Sequence, residues 1–397
     1  MENLTYLSES SECNNYTLAE AEIFLHSGFQ RVFIIAVVPV ITLLGLSTNG
    51  AFLMVVYRIP KMRTATNFYL SNLAVADGVL LMGTTLNYLL TYLKQPIDYG
   101  YPFESGGCMV SLLVIYVFSF ASIAFLTLVA LERYQAVCRP LEYRHRNVSS
   151  HPLKDSIKYT FLTWVLLIIF VSIPISFVHV ERTCVTWPQQ EPFVSFPAEI
   201  RRCQWARWSF VVIDTLDICF FTIALIINCL VYLRIVQELN KRKQPKGKSS
   251  EARSHVARML SINAIVFFAC LFPIQLSSIA EIYQLVNNTS GHFYGTVTDN
   301  ILLWIGRVAF LLNSTVNPII YNAINPEYRK AFQRAFSLGN LARPVRAGQI
   351  ENTSMTQDIG DTMELDDSKQ NQERAPIRLV DISDINKERP DKEADNI

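Results

Sequence analysis

Apolar positions in this chain are gathered into long blocks separated by short polar stretches. Val32 to Tyr57 contains no Asp, Glu, Lys or Arg, and such a run exceeds the roughly 20 residues a helix needs to cross a bilayer core of about 30 Å. Uncharged or nearly uncharged stretches follow at Thr64 to Leu93 with one Asp, Cys108 to Leu131, Tyr159 to Val180, Trp208 to Leu233 with two Asp, Met259 to Ala280, and Ile301 to Asn325 with one Arg. Seven spans are predicted. Backbone polar groups in lipid must be satisfied within the segment, so these runs are helices, and they are far too long for barrel strands.

Beyond the last span, Asn325 to Phe336 sets apolar Tyr328, Phe332, Ala335 and Phe336 among Arg and Lys, the pattern of an amphipathic helix lying on a membrane surface. After Gly339 there is no apolar periodicity and the chain should be disordered. The expected fold is an all-α membrane protein, a seven-transmembrane helix bundle with a short amphipathic eighth helix. Its parts are an extracellular glycosylated amino terminus over 1–31, the seven-helix domain over 32–324, the amphipathic helix over 325–338 and a disordered cytoplasmic tail over 339–397.

Composition agrees: half of the 397 residues are hydrophobic and 17% are charged, a membrane balance. The net charge of +1 adds nothing. No nucleic-acid partner is expected. Charge placement says more. The loops around Arg58 to Arg63, Arg139 to Lys158 and Lys241 to Arg258 are basic and the alternate loops have no such excess, which puts the amino terminus outside and the carboxyl terminus inside. Met1 to Ser27 lacks a basic start followed by an apolar run, so the first span is read as an uncleaved anchor. Asn3, Asn15, Asn287 and Asn288 begin glycosylation triplets on the outer side. Of the eight Cys, the topology places Cys13, Cys108, Cys184 and Cys203 on the oxidising side, where three pairings are open. Cys138, Cys219, Cys229 and Cys270 read as small packing residues.

A charge inside a span costs about 2.5–3.5 kcal/mol on insertion scales. Asp77 sits mid-span in LSNLAVADGVLL with no Lys or Arg on its helix, and reads as an interhelical hydrogen-bond acceptor or an ion site. Arg133 closes the third span behind Glu132 and ahead of Tyr134, where an isolated Arg would be a snorkelling anchor. Pro318 in LNSTVNPIIY and Pro273 in FFACLFPIQL break the backbone ladders of the seventh and sixth spans.

Taken together, Asn49, Leu73 to Asp77, Cys108, Glu132-Arg133-Tyr134, Trp164, Tyr232, Phe267, Cys270, Pro273 and Asn317-Pro318-Ile319-Ile320-Tyr321 resemble the motifs of rhodopsin-like G-protein-coupled receptors, in order and over about 300 residues. The resemblance implies that Cys108 is bridged to Cys203, leaving Cys184 and Cys13 for a second bridge. It implies a sodium pocket of Asp77, Ser122, Asn313, Ser314 and Asn317, with no other cofactor. Glu132, Arg133, Tyr134, Leu141, Tyr232, Phe267, Pro273, Pro318 and Tyr321 then belong to the switch and the G-protein face. Two departures stand out: Leu271 replaces the usual Trp of the sixth helix and Ala224 the usual Pro of the fifth, so Phe267 and Phe272 are expected to carry the signal instead.

No Lys occupies the seventh span and Ile115 stands where amine receptors have Asp, which argues against retinal and aminergic ligands. MRTATNFYLSNLAVAD, ASIAFLTLVALERY and LLNSTVNPIIYN look most like the receptors for thyrotropin-releasing hormone, neuromedin U and ghrelin, which implies a neuropeptide ligand and signalling through Gq-type proteins. Tyr116, Asp214, Asp217, Gln275, Glu281 and Arg307 are the expected ligand contacts. Arg307 either pairs internally with one of these acids or meets a peptide bearing a basic side chain and a polar or amidated end. The loop from Glu181 to Arg207, with its VTW and FVSF runs, is expected to form a hairpin. Thr353, Ser354, Thr356, Thr362 and Ser368 are expected sites for receptor kinases and arrestin, and plasma-membrane lipid surrounds the bundle. A lipid or other non-peptide ligand is the alternative. A transporter would predict inverted repeats and a charged path, and an enzyme a metal-ligand cluster or nucleophile-base set; none is visible.

Overall fold

The computed structural model describes residues 13–94, 97, 100–143, 152–241, 248–287 and 301–337. The sequons at Asn3 and Asn288, residues 242–247 of the third basic loop and the tail from 338 lie outside them. The elements in chain order are β1 (Asn14–Asn15), α1 (Leu18–Glu22), α2 (Gly28–Arg58), α3 (Ala65–Lys94), α4 (Ser105–Cys138), α5 (Pro152–Ile175), β2 (Val178–Thr186), β3 (Glu199–Trp205), α6 (Arg207–Lys241), α7 (Lys248–Val286), α8 (Ile301–Ile324) and α9 (Pro326–Phe336). Helices α2 to α8 are each long and apolar enough to cross a membrane, which makes the chain a multi-pass membrane protein. Their outward faces carry exposed Leu43, Phe161, Ile169, Ile223 and Leu230, side chains that only lipid would cover without cost.

The seven helices close a ring in which α8 packs on both α7 and α2, while α4 runs through the middle against α3, α5, α6 and α7. Phe120, Phe125, Leu126 and Val129 of α4 share one core with Phe52, Leu73, Phe267 and Tyr321. Where α2, α3 and α8 meet, a methyl on Gly45 would fall 2.7 Å from Thr315 Oγ1 and closer still to Leu81, so only glycine fits. Gly306 does the same between α8 and α7, 3.1 Å from the Ile274 nitrogen. The α2 helix widens to a π turn over Phe33–Val37, just ahead of Pro39, whose missing N–H cannot continue the ladder.

Pro318 shows how a proline is tolerated in α8. It leaves the Ser314 carbonyl without its helical donor, and Asn49 of α2 supplies one, Nδ2 donating across 2.8 Å. Asn325 then caps α9, its Oδ1 accepting from Glu327 N at 3.0 Å. The amphipathic face of α9 is divided. Tyr328, Ala331 and Ala335 are buried against the bundle, where the Tyr328 hydroxyl donates to Asn67 and Arg58 donates to the Ala335 carbonyl at 2.9 Å; Phe336 stacks on Phe332 and stays 43% exposed.

Several expectations need correction. The fourth span ends at Ile175, not Val180: Pro174 lies in its last turn, and Val178 already pairs with Trp205 in the hairpin. The hairpin exists, but its strands are Val178–Thr186 and Glu199–Trp205, with the FVSF run in the connection as a 3-10 turn over Phe193–Ser195. Trp187 stacks on Phe193 there instead of extending the strand. Cys219 and Cys229 are exposed on α6 and are not packing residues.

Candidate functional site

One end of the bundle is roofed by the hairpin and two disulfides. Cys108, in the first turn of α4, is bridged to Cys203 of β3, and Cys13 is bridged to Cys184 of β2. Ser105 Oγ accepts from the Val180 backbone at 3.1 Å, fixing β2 over the start of α4. The second bridge brings in the amino-terminal segment: Asn14 and Asn15 pair in parallel with Val185 and Thr186, and Tyr16 and Phe24 pack on Trp187. On the outer rim Glu104 accepts from both Arg182, at 2.8 Å, and Arg201, at 3.2 Å, and that carboxylate holds the Arg182 guanidinium above its ordinary pKa. Residues 13–27 of the amino-terminal segment are a built part of the roof.

Beneath it lies a cavity of about 390 Å³ whose lining includes Tyr116, Asp214, Asp217, Gln275 and Arg307, within the usual range for small-ligand sites. The spacing of three places Asp214 and Asp217 on one face of α6. Tyr116 reaches Asp214 Oδ1 at 3.4 Å, and Gln275 Nε2 donates to Asp217 Oδ2 at 2.7 Å. Neither acid meets a cation among the described residues. Arg307 lines the same cavity from α8, its guanidinium 4.6 Å over the Trp304 ring, and forms no ion pair among the described residues. No Arg307 to carboxylate ion pair is made among the described residues, although Glu281 feels the charge of Arg307. Glu281, expected in the same mouth, is half-buried but does not line the cavity. Asn87, Tyr88 and Ser119 do, and sequence reasoning missed them; no charge or motif marks them, and only the closure of the ring turns them inward.

Leu271 forms part of the floor at 3% exposure. Phe267 and Phe268 are buried below it, ring centroids 5.6 Å apart. Phe272 is 52% exposed, since one residue along a helix turns the side chain by about 100°; an inward role for it is corrected. Ala224 leaves α6 unbroken, and its carbonyl accepts from Asn228 Nδ2 at 2.8 Å while the same amide donates to Thr127 of α4 at 2.9 Å.

Deeper still, Asp77 is fully buried. Ser122 Oγ donates to its Oδ1 at 2.8 Å and Asn317 Nδ2 to its Oδ2 at 2.7 Å, tying α3 to α4 and α8. Asn313, one turn from Asn317 on the same face, has a buried Oδ1 with no hydrogen-bond partner among the described residues, and Ser314 is buried beside it. A carboxylate, a hydroxyl and an unfilled amide oxygen are the kind of oxygen ligands a hard cation takes, so the residue types fit a sodium ion.

At the opposite end of the bundle, Glu132 is buried and Arg133 forms no ion pair among the described residues, its Nε lying buried without a hydrogen-bond partner. The hydroxyl of Tyr232 is likewise buried without a partner among the described residues, and Tyr321 is fully buried close to Asn263. Burial pushes the Tyr328 phenol up to about 12, against the opposing effect of the nearby Arg133 guanidinium. Tyr134 is half-buried and Leu141, past the end of α4, is 80% exposed, an isolated apolar side chain presented outward. Trp164 of α5 donates to Asn72 of α3 at 3.2 Å.

The comparisons with known proteins agree with this architecture. The somatostatin receptor type 5 of Rattus norvegicus is 29% identical over 313 residues, covering 76% of this chain and 78% of its own. The neuromedin U receptor homolog nmur-2 of Caenorhabditis elegans is 25% identical over 339 residues, 78% of this chain and 80% of its own. The allatostatin-A receptor of Bombyx mori is 28% identical over 306 residues, 75% and 79%. Residues 48–321 match the model of the 7 transmembrane receptor (rhodopsin family), an extent that runs from the last third of α2 to the last turn of α8, and the chain belongs to that family of receptors.

Proposed function

We propose that this chain is a plasma-membrane receptor for an extracellular peptide that activates heterotrimeric G proteins of the Gq type. The observation that carries the reading is the roofed cavity with two acids on α6 and a guanidinium on α8 that has no acidic partner among the described residues. Such charges are costly in a membrane domain unless something pairs them, and a peptide with a basic side chain and a polar terminus does so. Relatives named for somatostatin, neuromedin U and allatostatin-A support a peptide over a lipid.

The basic loops and the two disulfides support an orientation with the roofed end outside, the carboxyl terminus in the cytoplasm and glycans on Asn3, Asn15 and Asn288. In that orientation Arg133, Leu141 and α9 face the G protein, and the tail beyond 339 meets receptor kinases and arrestin. Sodium bound at Asp77, Ser122, Asn313, Ser314 and Asn317 would supply a positive charge to a buried carboxylate and hold α3, α4 and α8 together.

Peptide libraries applied to cells expressing the full chain, read by calcium and by cyclic AMP, test the proposal. A calcium rise without a fall in cyclic AMP is expected. A fall in cyclic AMP alone would replace Gq with an inhibitory G protein, and responses to lipids with none to peptides would replace the ligand class.

A further inference from the structure

A second cavity, of about 290 Å³, adjoins the first on the side of α2, α3 and α8, and Asn87, Tyr88 and Arg307 line both. Its remaining wall includes Gln30, Tyr92, Tyr101, Arg202 and Trp304. The two chambers differ in charge. Asp214 and Asp217 line the first, whereas the second contains two guanidinium groups, Arg202 and Arg307, and no Asp or Glu among its described lining residues. Arg202 is placed there by the roof: it is the neighbour of Cys203, and the bridge to Cys108 fixes the strand that carries it. Tyr101 adds a hydroxyl, its oxygen 3.1 Å from Ser111 Oγ.

We infer that the second cavity seats a carboxylate of the ligand between Arg202 and Arg307, so that the receptor takes a peptide with a cationic side chain in the first chamber and a free acid terminus in the second. This rests on the peptide reading above and sharpens it, because an amidated end would offer these two cations no charge. Guanidinium groups are suited to carboxylates by their planar forks, and Arg307, shared by both chambers and paired with no acid among the described residues, is the hinge of the arrangement. The ring walls of Tyr88, Tyr92, Tyr101 and Trp304 favour an apolar or aromatic residue carrying that carboxylate.

The test uses pools of pentapeptides with one position fixed as Arg and the others varied, synthesised in two forms that differ only in a free-acid or an amide terminus. They are applied to cells displaying the full chain, with surface labelling to equalise receptor number. Free-acid pools are expected to activate at concentrations at least about tenfold lower than amidated pools, the size of one charged hydrogen bond. In Arg202→Gln that preference should shrink to near unity, while Asp214→Asn should weaken both forms alike. Equal potency of the two forms on the unaltered receptor overturns the carboxylate seat and leaves the peptide reading standing. Silence from both forms on a well-displayed receptor overturns both.

Discussion

Arg307 lies with its guanidinium 4.6 Å over the Trp304 ring, one helical turn away on α8, and makes no ion pair with a carboxylate among the described residues. A cation held by a ring face keeps its N–H groups available for a ligand. Arg307→Lys is expected to leave surface display near normal and to weaken agonist potency roughly 10- to 100-fold, matching about 1.5–3 kcal/mol for a hydrogen bond to a charged group. Surface labelling beside agonist dose-response checks it. Normal potency of Arg307→Ala at equal display would remove Arg307 from the ligand site.

Asp77 accepts from Ser122 and Asn317, while Asn313, one turn before Asn317 on α8, has an unfilled oxygen among the described residues. In Asp77→Asn the charge that would attract sodium is gone, and one of the two acceptors becomes a donor facing a donor. Agonist affinity of the unaltered receptor should differ between sodium chloride and choline chloride, and that difference should vanish in the variant. A difference that survived in Asp77→Asn would place the ion elsewhere.

Arg133 belongs to the end of the bundle opposite the ligand cavity. Arg133→Ala should therefore leave ligand binding largely unchanged and abolish nucleotide exchange on the G protein, measured in membranes with purified G protein. Retained exchange would end its proposed role.

The Cys13 to Cys184 bridge closes a separation of 171 residues and holds the segment that packs Tyr16 and Phe24 on Trp187. Loss of a bridge over a long loop costs about 2–5 kcal/mol. The paired variant Cys13→Ser with Cys184→Ser should lower the thermal midpoint of the purified receptor and weaken agonist potency, as the roof loosens. An unchanged midpoint together with unchanged potency would show that this segment contributes nothing to the roof.

Much of this protein is legible in its sequence because lipid imposes simple demands. The seven spans, the motif residues along them and the amphipathic α9 follow from the need to bury backbone polar groups and to keep charges at the ends. The sequence likewise marks Asp77, Asp214, Asp217 and Arg307 as charges requiring an explanation. What each of them meets is a different matter, since partners come from helices far apart in the chain. Ser122 and Asn317 reach Asp77 from α4 and α8, Asn49 reaches the carbonyl that Pro318 abandons, and Arg307 turns to Trp304 instead of to an acid. Four thiols permit three pairings on paper, and the placement of β2 and β3 over α4 selects one of them, with its two bridges. The second cavity and its arginine pair were invisible for the same reason: Arg202 sits on β3 and Arg307 in a span 105 residues later, and distance along the chain says nothing about distance in space until the ring of helices closes.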